Sequence, residues 1–423
     1  MLWLHPERPG RRVRVGYCLN LHPADDLDGM FAGLRDVTRP LRERLGVSDG
    51  FGVGLYLSGA VAHELNRDER QRRHLADALA EHGLDPFTAN AFPVGGFHAD
   101  GLKRGVFEPT WWDPARLEYT LAVARVLVAV QAADAAAATL AISTHCGRFG
   151  VFEGDQFERA ATQWSRVAEA FAELEAQTGR HVRLAFEPEP RSAAGDTSEW
   201  ERLAARLMDG ADAAQRARFE RYLGVCLDTC HAAVEFEDER EAWARATSHG
   251  MALGKLQYSS ALRLPAPGKS PAARAALLAL DEARYLHQTT ARAANGDLLR
   301  VDDLPELRAA CADPASPWLA ADEWRCHFHV PVDLAALDGL PLATTRAAAD
   351  ALLAAALAGE SGWGGPELRV EIETYTWDVL PGAAKGSGGL VDGLEREYAH
   401  LASQLTASGW RRADGLGSSV AAR

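Results

Sequence analysis

The sequence predicts an α/β fold, a single (β/α)₈ TIM barrel, and three observations point to it. Short β-type runs alternate with longer amphipathic stretches, which is the pattern of βαβ units in a parallel sheet. Eight such runs are spread over most of the chain, and eight strands close a barrel of this type. The first run ends in CLNLHP and lacks the Gly-rich phosphate loop of a doubly wound sheet, which is the alternative fold.

The individual elements follow from hydrophobic periodicity along the chain. Runs rich in β-branched and aromatic residues predict barrel strands over 13–21, 51–57, 85–92, 139–145, 182–187, 223–228, 252–259 and 368–374. Apolar residues at helical spacing predict helices over 27–45, 67–82, 114–135, 155–178, 198–208 and 344–358. We expect these helices to form the outer ring of the barrel.

Alternation within the strands predicts what faces the barrel interior, because successive side chains point to opposite faces. In the run 182–187, large apolar residues alternate with Arg183, Ala185 and Glu187. The large face suits packing against helices, and the small or polar face suits the interior. By the same alternation, four strands end in an inward polar side chain at one mouth: His145, Glu187, Asp228 and Glu373.

The chain between the seventh and eighth strands holds about 110 residues, where a βα unit needs a few dozen. It contains strand-like runs at 285–292 and 323–332. We interpret segment 260–335 as an insertion over the barrel mouth; alternatively, the run 323–332 is the true seventh strand. The expected organisation is one barrel domain over 1–405, with the insertion, and a disordered C-terminal tail over 406–423.

Composition and charge argue against several classes of function. The 423 residues carry 45 basic and 59 acidic side chains, a net charge of −14, which opposes a nucleic-acid partner. We find no run of about 18 apolar residues that would indicate a membrane span, and no signal-peptide pattern. The six cysteines suit buried free thiols in a reducing compartment. We therefore expect a cytoplasmic protein whose partner is a small-molecule metabolite.

Acidic and imidazole side chains at the predicted mouth indicate a metal site. Glu187 opens the sequence EPEP, and Glu373 ends the last strand. Asp228 and His231 form an Asp-x-x-His pattern at the end of the sixth strand. Carboxylates and neutral imidazoles bind divalent ions such as Zn²⁺, Mn²⁺ or Mg²⁺. Taken alone, each carboxylate is best interpreted as a solvated helix cap or loop residue. Because all of them are predicted to point inward at the same rim, we expect them to lie close together.

Further polar residues extend this candidate site. His327 and His329 lie on the same face of their strand-like run. The two imidazoles could bind one metal ion together or two metal ions separately, and the alternative is the polar face of an edge strand. His145 is a further candidate ligand. Lys255 could contact the substrate or, alternatively, pair with an inward carboxylate. His98 lies in a Gly-rich loop, whose composition is typical of a lid or of a packed surface loop. The candidate substrate contacts are Gln257, Lys255, His98 and His22.

At these positions the chain resembles the xylose isomerase-like barrels, which include sugar epimerases and endonuclease IV. LAFEPEPR is similar to the Glu-Pro motif of their fifth strand, LDTCH to the Asp-x-x-His of the sixth, and VEIETY to the eighth-strand motif. The epimerase resemblance implies that Glu187, Asp228 and Glu373 bind a divalent metal. It also implies that Glu187 and Glu373 act as base and acid, with His231 as a nearby ligand or substrate contact.

The chain departs from the epimerase pattern at the fourth ligand. That ligand is a seventh-strand His, and this chain has Gln257 there. His327 or His329 is the expected replacement from the inserted segment. GVCLDTCHA also resembles endonuclease IV, which implies a cluster of three zinc ions that includes Asp228 and His231, with His145 as an early histidine of that family.

A closer resemblance concerns the EboE-type family of metabolite traffic proteins. It rests on the segments YCLNLHP, ANAFPVGGFH, KLQYSSALR and CHFHVPV. Those proteins are encoded with others thought to move a secondary-metabolite precursor, so the resemblance implies interaction with proteins encoded in the same cluster.

Three functions follow, in this order. The first is a metal-dependent sugar isomerase or epimerase acting on a small polyhydroxylated metabolite, in precursor processing or traffic. The second is a non-catalytic metabolite-binding or traffic protein, and the third an endonuclease IV-like multi-zinc phosphodiesterase. Metal content discriminates between the enzymes, because one ion per chain favours isomerase chemistry and two or three zinc ions favour hydrolysis.

Overall fold

The computed structural model describes residues 1–22, 25–48, 50–98, 101–132, 139–381 and 388–413. Its strands are β1 (Leu2–Leu4), β2 (Arg12–Cys18), β3 (Phe51–Tyr56), β4 (Leu84–Asn90), β5 (Leu140–His145), β6 (Val182–Glu187), β7 (Leu223–Asp228), β8 (Ala252–Tyr258), β9 (Ser260–Pro265), β10 (Thr289–Arg292), β11 (Leu298–Val301), β12 (Glu323–Val330), β13 (Ala343–Thr344), β14 (Glu367–Ile372) and β15 (Arg411–Arg412).

The helices lie mainly between the strands. They are α1 (Leu27–Gly33), α2 (Arg39–Arg44), α3 (Gly59–Arg67), α4 (Glu69–Glu81), α5 (Pro114–Ala129), α6 (Gln156–Thr178), α7 (Thr197–Asp209), α8 (Ala213–Tyr222), α9 (Thr229–Val234), α10 (Glu239–Ala246), α11 (Pro271–Leu278), α12 (Leu304–Ala310), α13 (Pro317–Ala320), α14 (Arg346–Ala358) and α15 (Leu390–Ala407). Several begin at an aspartate whose side chain accepts backbone N–H bonds of the first turn, as at Asp68, Asp113 and Asp196.

Eight strands form the closed parallel barrel that the sequence predicts. Neighbouring strands follow the order β2-β3-β4-β5-β6-β7-β8-β14, and β14 pairs in parallel with β2 to close the ring. Closure rules out the doubly wound alternative, whose sheet stays open. The register places His145 beside Glu187 and Asp228 beside Gln257, so polar strand ends meet at one rim.

The segment after β8 forms a second, antiparallel sheet in the order β11-β10-β12-β9-β13. The interpretation of 323–332 as the seventh barrel strand is wrong, because β8 fills that place and β12 pairs with β9 and β10. One face of β12 places Trp324 and Phe328 in an apolar cluster of its own sheet. Its other face carries His327 and His329 to the barrel mouth, where they line a cavity with the strand ends.

The C-terminal segment stays in the fold beyond the boundary expected for a tail. Helix α15 continues to Ala407, and β15 pairs antiparallel with β1. The tail expected from residue 406 therefore begins no earlier than residue 414. Residues 414–423 lie outside the described residues, and so do residues 99–100 of the loop interpreted as a lid or a packed surface loop.

A buried ion pair lies inside the barrel, below the mouth. The Nζ of Lys255 is 2.7 Å from Oε2 of Glu371, and both side chains are fully shielded from solvent. Burial alone would lower the pKa of Lys255, but Glu371 and neighbouring acidic groups hold it well above its ordinary value. Gly54 makes room for the pair, since a Cβ there would lie 2.2 Å from Oε1 of Glu371.

We expect Lys255→Met to lower the free energy of unfolding by about 3–5 kcal/mol, because it leaves the Glu371 carboxylate buried without its cation. The double variant Lys255→Met/Glu371→Leu should recover much of that loss, since no charge remains unpaired. Denaturant unfolding followed by circular dichroism measures both. Arg73→Met removes one partner of an exposed pair and should change stability little. A single variant as stable as the unaltered protein would contradict this role for the pair.

Candidate metal centre

Three imidazoles converge at the mouth, and we call them the imidazole triad: His231, His327 and His329. The Nε2 atom of His327 lies 3.1 Å from that of His231 and 2.9 Å from that of His329. The third Nε2 separation, between His329 and His231, is 3.3 Å. All three residues are buried. Helix α9 supplies one ring and the inserted strand β12 supplies two.

Hydrogen bonds at the opposite ring nitrogens fix the tautomer of each imidazole. The Nδ1 atom of His231 faces the carbonyl oxygen of Pro188 at 3.1 Å. That of His327 faces Oε1 of Gln288 at 2.7 Å, and that of His329 faces the carbonyl oxygen of Glu373 at 2.9 Å. Because these oxygens accept, each Nδ1 carries the proton and donates it. Each Nε2 atom therefore carries no proton, and its lone pair points toward the other two Nε2 atoms.

This geometry fits a cation. Three unprotonated nitrogens facing one another have no donor to satisfy them, and a positive ion placed among them satisfies all three. Zinc–nitrogen bonds of about 2.0–2.1 Å in a tetrahedral site separate the nitrogens by about 3.3–3.4 Å, close to the separations in the triad. Burial lowers the pKa of all three rings, to about 3 for His329, so the rings stay neutral as metal binding requires.

Three carboxylates adjoin the triad, and we call them the carboxylate trio: Glu187, Asp228 and Glu373. One oxygen of each lies within 4.8 Å of the others. Oε1 of Glu373 accepts from the amides of Asn20 at 2.7 Å and Asn90 at 3.4 Å. Its Oε2 accepts from the amide of Gln257. These three amides fix the orientation of the Glu373 carboxylate.

Asp228 has two functions in the local structure. Its Oδ1 caps α9 by accepting from the backbone N–H groups of Cys230 and His231. Its Oδ2 is buried and has no hydrogen-bond partner in the described part of the chain, and the same holds for Oε2 of Glu187. Free, buried carboxylate oxygens are available as metal ligands.

Mutual repulsion and burial perturb the carboxylate trio. Burial, together with Glu373 and Asp228, raises the pKa of Glu187 well above its ordinary value. Burial also raises the pKa of Glu373, to about 7, although Lys255 opposes the shift. Such shifts follow when carboxylates share a poorly solvated site. A carboxyl group that titrates near neutral pH is suited to accept and return a proton.

Glu189 is a site residue that our sequence analysis missed. It forms a further group with His231 and His327, with ligand atoms within 4.8 Å of one another. Its Oε2 is buried and has no hydrogen-bond partner among the described residues. The signal was present in EPEP, where Glu189 follows Glu187 by two positions. The sequence indicates that Glu189 lies in a loop but not that this loop brings its side chain to the cavity wall.

The imidazole triad forms one wall of a cavity together with Glu187, Glu189 and Glu373, and the cavity has a volume of about 50 Å³ for the centre of a water-sized molecule. Aromatic and apolar side chains form the opposite wall: Phe92, Pro93, Phe97, Val106, Tyr285, Leu286 and Tyr375. A cavity with one apolar wall and a few convergent polar groups is typical of a small-molecule site. Tyr375 also packs against the ring of His329, at a centroid distance of 4.4 Å.

Five predicted site residues are not brought into this arrangement as expected. His145 belongs to none of the metal-ligand groups found among the described residues; its ring packs against Phe92 and Phe107. Lys255 pairs with Glu371, which is the alternative stated for it, and Gln257 bonds Glu373. The remaining two are His22, which packs against Gly33 and Tyr17, and His98, which contacts Asn20 and Tyr285.

All five of these residues are absent from the cavity wall. Each already contacts another protein group, so their positions do not support direct contact with a substrate. Gln257 instead positions Glu373 from inside the barrel.

The sequence of this chain is similar to that of a known family of TIM barrels. The model of the xylose isomerase-like TIM barrel family matches residues 49–271. The chain belongs to this family. The match includes Glu187, Asp228 and His231 but ends before β12 and β14, so two rings of the imidazole triad lie outside it. No curated protein sequence matches the chain.

Several solved structures resemble the chain at low sequence identity. A xylose isomerase-like barrel from Mycobacterium smegmatis in complex with magnesium is 12% identical, with 93% of this chain and 97% of that one covered and a TM-score of 0.47. A D-tagatose 3-epimerase-like protein is 10% identical, with 93% and 98% covered and a TM-score of 0.45. The IOLI protein, solved with a zinc atom, is 10% identical, with 93% and 99% covered and a TM-score of 0.43.

Among the described helices, none combines the length and the apolar character needed to cross a membrane.

We expect Gln288→Leu to weaken divalent-metal binding about 10- to 100-fold, because it removes the acceptor that holds the Nδ1 proton of His327. Competition against a chromophoric chelator, with Zn²⁺ and Mn²⁺ as separate probes, measures the dissociation constants. Gln131→Leu is the matched control, since Gln131 bonds Pro86 and Leu127 away from the mouth. Equal affinities in both variants would contradict a metal at the triad.

Proposed function

We propose that this protein is a metal-dependent isomerase or epimerase acting on a small polyhydroxylated metabolite. The proposal rests on one observation: the imidazole triad and residues of the carboxylate trio lie at the same cavity. The imidazole triad presents three lone pairs and no proton donor at its centre. The carboxylate trio beside it includes Glu373, whose pKa lies near neutral pH.

In this proposal the two clusters divide the work. The imidazole triad, with Glu189 beside it, holds the divalent ion. A divalent ion bound there supplies Lewis acidity toward hydroxyl and carbonyl oxygens of the substrate. Glu187 and Glu373 then remain available for proton transfer. This differs from the epimerase resemblance, in which the same two carboxylates are also ligands.

The hydrogen bonds of Glu373 favour its role as the base. Amide donors stabilise the ionised carboxylate, so Glu373 accepts the proton of a carbon-bound hydrogen. Burial and the neighbouring carboxylates raise the pKa of Glu187 well above its ordinary value, and no amide side chain among the described residues donates to it. We therefore assign Glu187 as the acid that returns a proton. Carboxyl oxygens within 4.8 Å of one another reach adjacent atoms of one substrate. Such a pair suits a proton shift between neighbouring positions of a polyol or sugar.

The metabolic setting is part of the same proposal. The segments CLNLHP and CHFHVPV, which resemble EboE-type metabolite traffic proteins, contribute Asn20 and two rings of the imidazole triad. A role in processing or traffic of a secondary-metabolite precursor is supported by this resemblance and by the convergence of polar groups on one wall of the cavity. Contacts with proteins encoded in the same cluster are expected on this basis.

One observation favours a multi-zinc phosphodiesterase as the second candidate. Two of the described ligand groups share no residue: one is Glu189 with His231 and His327, and the other is Glu187 with Asp228 and Glu373. Two separate groups offer ligands for more than one ion. The net charge of −14 opposes a nucleic-acid substrate.

We expect the purified protein to contain one divalent ion per chain by elemental analysis. In D₂O it should introduce deuterium at a carbon position of one member of a panel of ketoses, aldoses and inositols, as read by mass spectrometry. Glu187→Gln and Glu373→Gln should each slow this exchange about 100-fold or more, because an amide neither accepts nor donates the proton. Glu169→Gln, at an exposed ion pair, should leave the rate unchanged.

The other outcomes identify the other functions. Two or three zinc ions per chain with cleavage of a phosphodiester would replace the isomerase by the hydrolase. A metal-loaded protein that retains a metabolite chemically unaltered, with no exchange in any panel member, would show a carrier. Unchanged exchange in both Gln variants would remove the assigned roles of Glu187 and Glu373.

A further inference from the structure

A second cavity lies at the opposite end of the barrel from the mouth. Its wall includes Arg183 near the start of β6, together with His181, Arg221, Thr247 and Gly364. Arg183 and Glu187 occupy the same strand four positions apart, which separates them by about 13 Å. The cavity is therefore distinct from the candidate metal centre.

The guanidinium of Arg183 is buried, and the residue is 4% exposed. Its Nε and Nη1 atoms have no hydrogen-bond partner in the part of the chain that the structure describes. Within the described residues, no carboxylate forms an ion pair with it. Arg369, which occupies the equivalent level of β14, differs in this respect: it lies 3.5 Å from the Glu367 carboxylate and donates to the carbonyl oxygen of Gly254.

The surrounding charges do not neutralise Arg183. Burial and the neighbouring cations Arg369 and Arg221 lower its pKa to about 10, so it is still charged at neutral pH. Glu175 also lines the cavity, but it is engaged by Arg221 and by the hydroxyl of Tyr222 at 2.7 Å. Glu220 lies at the exposed edge of the cavity. A buried charge with no partner is strongly destabilising unless a ligand supplies the opposite charge.

The main chain at Gly364 lies close beside the guanidinium of Arg183. Gly364 has a φ of +61°, and a Cβ there would lie 2.9 Å from Nη1 of Arg183. Glycine is the residue that both adopts this backbone conformation readily and keeps a side chain away from the guanidinium.

We propose that this cavity binds a phosphate group, with Arg183 as its principal ligand. Arginine is well suited to phosphate because its planar fork of donors matches the oxyanion geometry and stays charged when buried. The phosphate is either inorganic phosphate or the phosphate group of a metabolite. The site does not depend on the proposed function, because its residues lie at the other end of the barrel.

Calorimetric titration of the full chain tests this proposal, with inorganic phosphate and glycerol 3-phosphate as separate probes and chloride at equal ionic strength as the reference. The unaltered protein should bind phosphate and melt at a higher temperature in its presence. Arg183→Met should weaken binding at least about tenfold and abolish the thermal shift. Tighter binding of glycerol 3-phosphate than of inorganic phosphate would identify a metabolite as the source.

Two control variants separate this site from others. Arg202→Met, at an exposed arginine, should bind phosphate like the unaltered protein. His327→Ala disrupts the imidazole triad and should also keep phosphate binding, whereas binding to a metal at the mouth would be lost in it. Circular dichroism establishes that Arg183→Met is folded. Equal phosphate affinity in Arg183→Met and the unaltered protein, or no binding by either at millimolar concentrations, would overturn the proposal.

Discussion

The organisation of the mouth depends on one electrostatic constraint: three imidazole nitrogens, each with its lone pair directed inward, lie within 3.3 Å of one another. No rotation of these rings relieves the contact without breaking a hydrogen bond at Nδ1, because Pro188, Gln288 and Glu373 each hold one ring by its other nitrogen. Gln288 is itself oriented, since its amide donates to the carbonyl oxygen of Pro190. The lone pairs are therefore held in position before any ligand binds, which is the condition for a preorganised cation site.

The same constraint explains why the inserted sheet is needed at the mouth. Seventh-strand Gln257 carries no imidazole, and its amide is used to orient Glu373. Two imidazoles come instead from β12, whose opposite face is anchored in the apolar cluster around Trp324 and Phe328. The second sheet thus gives β12 a rigid support, and a cation at the triad would join that sheet to α9 of the barrel. Such a joint is tighter than apolar packing alone because its geometry is fixed by bond lengths.

Much of this arrangement follows from local sequence pattern, and the remainder depends on distant contacts. Alternation in β6 and β7 places Glu187 and Asp228 at one rim, because parity and strand direction are local properties. The bounds of these strands match the structure, whereas the run 13–21 ends at Cys18 since residues 19–21 form a 3-10 turn. The partners of Lys255, Gln257 and His145 were less predictable, although pairing with an inward carboxylate was one of the two interpretations of Lys255. These partners lie in distant segments of the chain, and parity indicates that a side chain points inward but not which group it contacts.

Charge inside the barrel is sorted along its axis. Along β14, Arg369 lies near the amino end beside Glu367, Glu371 lies in the middle, and Glu373 follows the strand at the mouth. On β6, Arg183 lies near the amino end and Glu187 at the mouth. The middle level is neutral within itself, because Lys255 pairs with Glu371, and at the base Arg369 is paired with Glu367 whereas no carboxylate among the described residues pairs with Arg183. Charges about 13 Å apart attract each other weakly in comparison with a direct ion pair, so the carboxylates at the mouth do not compensate Arg183 at the base. Each end of the barrel is therefore best stabilised by a ligand of opposite sign, a cation at the mouth and an anion at the base. Because the strands are parallel and keep the same inward parity along their whole length, the site for a cation and the site for an anion lie at opposite ends of the barrel.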